Sequence, residues 1–327
     1  MKISVIGAGS WGSTLAVLLG ENNPEKEIML WAREQEVLDS IKKDGENKLF
    51  LNGIKFPKNL RATGDVKEAV TGADILVIAI PSQFLRAKAR EIKELVKKDA
   101  IVINVAKGLE LNTFKRMSEI LREEMVSTVK IAVLSGPNHA EEVSRKIPTA
   151  TVIASKEADF KKLKKIFETD YFKVYPHDDV IGVEICGAVK NITAIATGTS
   201  YALGLGDNAI GSLITLGLRE MVTLGRHVGA KQKTVYGLAG VGDLVATCTS
   251  KHSRNRKAGE LIARGYDSER IYKEMHGMIA EGIITCKAVH EYALKNNINL
   301  PLTTQVYKVL FEKKQLMHAI SDLKKLI

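Results

Sequence analysis

The sequence predicts an α/β domain over residues 1–177 followed by an all-helical domain over 178–327. Three observations carry this division. Short β-branched runs alternate with amphipathic stretches in the first part, the pattern of a sheet with helices on both sides. One of those runs, ILVIAI (75–80), is apolar at every position, as expected of a strand in a parallel sheet covered on both faces. Beyond about residue 177 the strand pattern stops and helical periodicity takes over.

In chain order, KISVI (2–6), EIMLW (27–31), ILVIAI (75–80), IVINV (101–105), IAVLS (131–135), TATVIA (149–154) and FKVYP (172–176) read as strands. Helical patterns at 13–20, 34–43, 84–97, 114–124 and 157–168 lie between them. The second part favours helix at 180–203, 207–228, 254–264, 268–274, 281–295 and 303–313, with Gly-rich turns between. There is no Pro/Ser-rich linker, internal repeat or low-complexity segment.

Composition excludes several classes. Hydrophobic residues make up 45% and charged residues 26%, which is ordinary for a globular enzyme and too apolar for disorder. The net charge of +10 raises nucleic acid as a partner. The lysine-rich stretches KELVKKD (93–99) and KKLKKIF (161–167) nevertheless lack the interleaved aromatics of a stacking platform, so no nucleic-acid partner is expected. ILVIAI, taken as the longest strongly apolar segment, is far shorter than the roughly 20 residues of a membrane span. No membrane insertion is expected. Cys186, Cys248 and Cys286 are widely spaced, with neither CxxC nor HExxH in the chain, so no metal is expected and a cytoplasmic location fits.

GAGSWG (7–12) follows a strand and opens a helix. Gly7 permits the tight turn, Gly9 lets a pyrophosphate approach the backbone, and Gly12 allows close helix–strand packing. The N–H groups that open the helix then receive phosphate oxygens. The first domain therefore reads as Rossmann-like and dinucleotide-binding. At the end of the second strand, Arg33 suits a 2′-phosphate and favours NADP, while Glu34 can accept from a free 2′-hydroxyl and keeps NAD open.

Other candidates stand at strand ends and helix starts. Pro81 and Ser82 form a turn after ILVIAI, and Lys107, in VAKGLE (105–110), stands at the rim of the same crevice. LSGPNHAEEV (134–143) offers a Gly-Pro turn with Asn138 and His139, the latter reading as a solvated or capping residue. In GLAGVGDLVATCTSKHSRNRKAGE (237–260), Gly240 and Gly242 read as a flexible turn before Asp243. Ser253, Arg254 and Asn255 open a helix there, and an Arg and an Asn at a helix N-terminus suit a phosphate clamp or a basic surface cap. Glu281 begins another helix, where dipole capping explains it equally well. Lys190 has only Cys186, Gly187, Thr193 and Ala194 three and four positions away, small residues without an acid. It reads either as a surface lysine or as one facing a cavity with room for a ligand.

GAGSWG, WAR, VAKGLE, SGPNHAEEV, GAVKNITAIATG, GLAGVGDL, SRNRKAGE and AEGI, in this order and spacing over essentially the whole chain, resemble the bacterial NAD(P)-dependent glycerol-3-phosphate dehydrogenases. The resemblance implies reversible reduction of dihydroxyacetone phosphate to sn-glycerol 3-phosphate for phospholipid synthesis. It implies Lys190 as the catalytic lysine, with Lys107, Gly136, Asp243, Ser253, Arg254 and Asn255 at substrate-contacting positions. Ser10, Trp11, Arg33, Lys107, Ala140, Arg254, Ile279 and Glu281 match positions that contact the dinucleotide. Two positions depart from the family pattern: Asn138 replaces the usual Ser or Thr, and Glu34 replaces a frequent second basic residue. On this reading protonated Lys190 stabilises the developing alkoxide and delivers its proton. Asn191 holds the lysine or the substrate, and Asp243 orients a substrate hydroxyl or the ammonium. A homodimer is compatible with the helical domain but not specified by it. A dinucleotide-binding sensor is the main rival from another class, and the joint presence of Lys190, Asp243, Arg254 and Asn255 argues against lost chemistry.

Overall fold

The β-branched runs of the first part form a single eight-stranded sheet in a computed structural model that describes residues 1–275 and 280–325. Its strands are β1 (Lys2–Ile6), β2 (Glu27–Trp31), β3 (Leu60–Thr63), β4 (Ile75–Ile78), β5 (Ile101–Asn104), β6 (Lys130–Ser135), β7 (Thr149–Ala154) and β8 (Phe172–His177). The spatial order is β3-β2-β1-β4-β5-β6-β7-β8. Neighbours run parallel except β6 and β7, where Ser135 faces Val152 in an antiparallel pair. This pair is the one antiparallel step in a sheet whose apolar runs read as parallel strands. β3 carries no strand signal, because LRAT is short and buries only Leu60 fully.

Helices α1 (Ser10–Asn22), α2 (Gln35–Asp44), α3 (Val66–Val70), α4 (Leu85–Ile92), α5 (Met117–Glu124), α6 (Ala140–Val143) and α7 (Phe160–Phe167) fill the crossovers. Every residue of β4 and β5 is buried, which explains their uninterrupted apolar runs. Alternate side chains serve opposite faces. Val77 and Ile103 pack with Leu15 and Leu19 of α1 and Leu163 of α7. Leu76 and Val102 pack on the other face with Ala89 of α4 and Ile120 of α5.

The chain divides into two compact units, Met1–Ala106 with Met117–Val180, and Lys107–Arg116 with Ile181–Ile327. This differs from a cut at 177/178 chiefly in the segment 107–116, which packs with the helical unit. The physical reason is apolar: Leu109 is completely buried in the helical core, with Leu111 and Phe114 against it.

The helical unit comprises α8 (Val180–Ala202), α9 (Gly206–His227), α10 (Gln232–Val235), α11 (Asp243–Thr249), α12 (Arg254–Ala263), α13 (Ser268–Glu274), α14 (Glu281–Lys295), α15 (Pro301–Phe311) and α16 (Leu316–Lys324). α10, α11 and α16 were not expected from sequence. α8 is the central helix, buried on all sides along most of its length. Its neighbours reach it through glycine: a Cβ on Gly259 of α12 would lie 2.0 Å from the Ile195 carbonyl oxygen, and one on Gly198 would lie 2.0 Å from that of Arg256. Among the described residues α8 is the one helix long and apolar enough to cross a membrane, longer than ILVIAI, but 89% of its apolar window is buried by protein. It is a core helix by its packing.

Candidate active site

Lys190 lies on α8 and is 4% exposed. An ammonium so buried needs a partner, and its own helix supplies none. The partner comes from α11. Lys190 Nζ donates to Asp243 Oδ1 at 2.7 Å and to Thr247 Oγ1 at 2.5 Å. The other carboxylate oxygen, Oδ2, accepts from Lys107 Nζ at 2.7 Å. One buried carboxylate thus bridges two ammoniums, and the trio carries one net positive charge when both lysines are protonated.

The electrostatics follow from this packing. Burial pulls the Lys107 ammonium down to about 8; the Asp243 carboxylate opposes the shift and the Lys190 charge adds to it. Burial pushes the Asp243 carboxyl up, but the Lys107 and Lys190 ammoniums more than offset this and hold it below the usual carboxylate value. Lys107 is therefore a largely enclosed member of the helical unit, its side chain 18% exposed.

Asp243 owes its place to the turn before it. Leu238–Gly242 forms a π-helical turn that runs straight into α11. A Cβ on Gly240 would lie 1.9 Å from the Val235 carbonyl oxygen, so the expected flexible turn is a tightly packed one. Thr247, four residues after Asp243 on the same helix, escaped the sequence reading because α11 itself did; the i, i+4 spacing is its signal.

A chain of amides surrounds the trio. Asn191 Nδ2 donates to the Lys107 carbonyl at 3.3 Å, and its Oδ1 accepts from Asn255 Nδ2 at 2.9 Å. Asn255 Oδ1 accepts in turn from the Gly282 N–H at 2.9 Å. The two ends of the Asn255 amide are thus both engaged by protein. Ser253 caps α12, its Oγ accepting from the Arg256 N–H at 3.2 Å, while Arg254 is exposed. Arg256, not singled out in the sequence, donates to the Thr249 carbonyl and stacks its guanidinium 3.8 Å over the Tyr201 ring, which holds the loop before α12. Glu281 is in the first turn of α14, and Ile279 lies outside the described residues.

In the first unit, the glycine turn joins β1 to α1. Gly7 has φ of +115°, and a Cβ there would meet the Ala79 carbonyl oxygen at 2.6 Å. A Cβ on Gly12 would lie 1.9 Å from the Gly7 carbonyl oxygen, whereas a Cβ on Gly9 would meet nothing within 4 Å. Gly9 therefore leaves open space at the start of a 13-residue helix whose first N–H groups, at Ser10, Trp11 and Gly12, have no intrahelical acceptor. This geometry fits a dinucleotide pyrophosphate. Trp11 is partly buried, with its ring 6.4 Å from that of Phe172. Beyond β2, Arg33 and Glu34 pair with each other, Nη2 to Oε1 at 2.7 Å, with Arg33 73% exposed. Such a pair contributes little and opens readily to a ligand. At the end of β6, Gly136 lies against Thr151, Asn138 Nδ2 donates to Thr151 Oγ1 at 3.0 Å, and Ala140 begins α6.

The structure thus brings Lys107, Lys190, Asn191, Asp243 and Asn255 together in the helical unit, and Gly7, Gly9, Ser10, Trp11 and Gly12 together in the sheet unit. Gly136 and Asn138 lie at the β6–β7 junction, and Ala140 beside them reaches the first helix, its carbonyl accepting from Thr14 Oγ1 at 3.4 Å while the same hydroxyl donates to the Ser10 carbonyl at 2.8 Å.

Comparison with known proteins agrees along the whole chain. Residues 2–161 match the NAD-dependent glycerol-3-phosphate dehydrogenase N-terminus, and residues 179–321 match its C-terminus. The chain is 46% identical over 326 residues to the glycerol-3-phosphate dehydrogenase (NAD(P)+) of Chlorobium limicola, covering 99% of this chain and 97% of that protein. It is 43% identical over 326 residues to the corresponding protein of Syntrophomonas wolfei, covering 98% and 94%. The crystal structure of glycerol-3-phosphate dehydrogenase from Coxiella burnetii is similar with a TM-score of 0.92 at 38% identity, covering 99% of this chain and 98% of that one. With its Rossmann-like sheet unit and helical second unit, this chain belongs to the NAD-dependent glycerol-3-phosphate dehydrogenase family, oxidoreductases that use NAD(P).

Proposed function

We propose that the protein catalyses the reversible reduction of dihydroxyacetone phosphate to sn-glycerol 3-phosphate with NADPH or NADH, with Lys190 as proton donor and acceptor. The observation that carries this reading is the buried carboxylate of Asp243 shared between the ammoniums of Lys190 and Lys107. When bound, the nicotinamide supplies or accepts the hydride. As the ketone oxygen gathers negative charge, the Lys190 ammonium stabilises it and delivers a proton; in reverse the neutral amine takes the proton back. Asp243 and Thr247 hold that ammonium in one direction, which spares the transition state a reorganisation cost.

The anionic end of the substrate suits the net positive charge of the trio, the Arg254 guanidinium and the start of α12 capped by Ser253. Gly136, Asn138, Asn191 and Asn255 are the further substrate positions, the two asparagines on α8 and α12 acting through the amide chain that they form. The dinucleotide is assigned to Gly7, Gly9, Ser10, Trp11, Gly12, Arg33, Lys107, Ala140, Arg254 and Glu281. Arg33 favours NADPH, and Glu34 leaves NADH as an alternative. The product would feed phospholipid synthesis in the cytoplasm, and a homodimer is compatible with this role.

The test follows NADPH oxidation by absorbance after addition of dihydroxyacetone phosphate, and repeats it with NADH. Oxidation that needs the phosphorylated ketone is the expected result. Folded protein that binds NADPH but oxidises neither cofactor would overturn the reading.

A further inference from the structure

Arg116 and Glu184 form an ion pair that the proposed reaction does not use. Their Nη1 and Oε2 atoms lie 2.9 Å apart, with side chains only 15% and 3% exposed. Replacing a buried pair of this kind by apolar residues is often neutral for stability, so its presence calls for another account. The segment that carries Arg116 supplies one.

Residues 107–116 form a small hairpin. Leu109 and Arg116 bridge in antiparallel fashion, the Glu110 N–H donates to the Lys115 carbonyl at 2.9 Å, and the Phe114 N–H donates to the Glu110 carbonyl at 3.0 Å. Phe114 stacks on Tyr292 of α14, with ring centroids 3.7 Å apart and planes at 10°. The two ends of the hairpin rest on α8. Arg116 reaches Glu184, and the Lys107 carbonyl receives Asn191 Nδ2 at 3.3 Å. Glu184 and Asn191 are seven residues apart, hence on one face of α8 and about 10 Å from each other along its axis. Lys190, beside Asn191, shares Asp243 with Lys107.

We infer that the Arg116–Glu184 pair is a positioning device for Lys107, clamping the returning arm of the hairpin, where Arg116 bridges Leu109, on α8 so that the Lys107 ammonium is held on Asp243. A lysine on an untethered loop would lose side-chain and backbone freedom each time it met that carboxylate. The clamp fixes the backbone from which Lys107 extends, on the same helix that carries Lys190. The inference rests on the proposed function for its kinetic consequence, but not for the geometry itself.

The test uses Glu184→Gln and the double variant Arg116→Met with Glu184→Gln, which removes both charges of the pair. NADPH affinity should fall only slightly, through the Lys107 contact alone with the glycine turn untouched, whereas kcat should fall about 10- to 100-fold and KM should change less. Lys107, followed by NMR of the 13C-methylated protein and assigned by its loss in Lys107→Arg, should titrate higher, nearer an ordinary lysine. Glu184→Asp, which keeps the charge, should recover part of the lost kcat. A folded double variant whose Lys107 titration stays where it was overturns the clamp, whatever its kcat. A double variant that cannot fold makes the pair structural and overturns it as well. Wild-type protein inactive on dihydroxyacetone phosphate would sink the proposed function alone, since the NMR titration still reports the placement of Lys107.

Discussion

Lys190 and Asp243 stand 53 positions apart in the chain, yet the ammonium of one lies 2.7 Å from the carboxylate of the other, both buried. In that setting the ammonium is directed by its partner rather than by water. Lys190→Ala should lower kcat by about 10²- to 10⁴-fold, the range typical of a lost general acid. Dinucleotide affinity, to which Lys190 is not assigned, should be nearly unchanged. The absorbance assay and a fluorescence titration with NADPH check the two halves, and normal turnover would remove Lys190 from the acid role.

Asp243→Asn leaves two ammoniums buried without their counter-charge. Breaking a buried pair from one side costs about 3–5 kcal/mol, so the melting temperature should fall markedly. Adding Lys107→Met should return much of that stability without returning turnover. Thermal denaturation of the single and double variants measures this. An Asp243→Asn protein as stable as the wild type would mean the carboxylate does not hold the lysines in solution.

The depressed Lys107 ammonium sets a pH signature. It is charged below about 8 and loses its proton above that value, whereas in the unfolded chain it stays protonated to about 10.5. The folded state binds fewer protons between these values, so its contribution to stability is present above 10.5 and lost as pH falls through 8. Activity runs the other way. The kcat/KM for the anionic ketone should decline as pH passes about 8, and Lys107→Arg should move that limb upward because a guanidinium keeps its charge. A pH–rate profile of both proteins is the check.

The glycine turn separates folding from binding. Gly12→Ala places a Cβ 1.9 Å from the Gly7 carbonyl oxygen and should distort the turn, lowering both stability and NADPH affinity. Gly9→Val meets open space and should fold with a nearly unchanged melting temperature while losing NADPH affinity, because the side chain takes the room of the pyrophosphate. Unimpaired NADPH binding in folded Gly9→Val would place the pyrophosphate elsewhere.

Glu220, on α9, is buried and caps the start of α15, accepting from the Leu302 N–H at 2.5 Å, the Thr303 N–H at 3.1 Å and the Thr303 hydroxyl at 2.6 Å. Burial pushes its carboxyl up to about 7, with the Thr303 and Leu302 bonds opposing the shift. The folded state therefore binds more protons between 4.5 and 7, and this group's contribution is full below 4.5 and lost as pH rises through 7. Glu220→Gln should gain stability relative to the wild type as pH rises across that window. Melting curves at stepped pH test it, and a difference that does not move with pH would count against the shift.

Much of the fold was legible in the residues. Seven of the eight strands announce themselves by short β-branched runs, and β4 and β5 are apolar throughout because they are buried on both faces. β3 is silent because LRAT buries little, and the antiparallel step between β6 and β7 is silent because residue pattern does not encode strand direction. The short helix α11 hides behind a Gly-rich stretch that reads as a loop, and with it went the spacing that pairs Asp243 with Thr247.

By itself the sequence determined the fold class, the glycine turn at the start of the first helix, and the residue types that the chemistry needs at Lys190, Lys107 and Asp243. Only the tertiary structure decided which of them meet. Local periodicity reports neighbours three and four positions away, and none of those around Lys190 is acidic. Its counter-charge arrives with α11, set by the π-helical turn before it and the close packing of Gly240 on Val235. Lys107 joins them because the hairpin that follows it buries Leu109 in the helical core and rests on α8, an apolar gain that no spacing along the chain records.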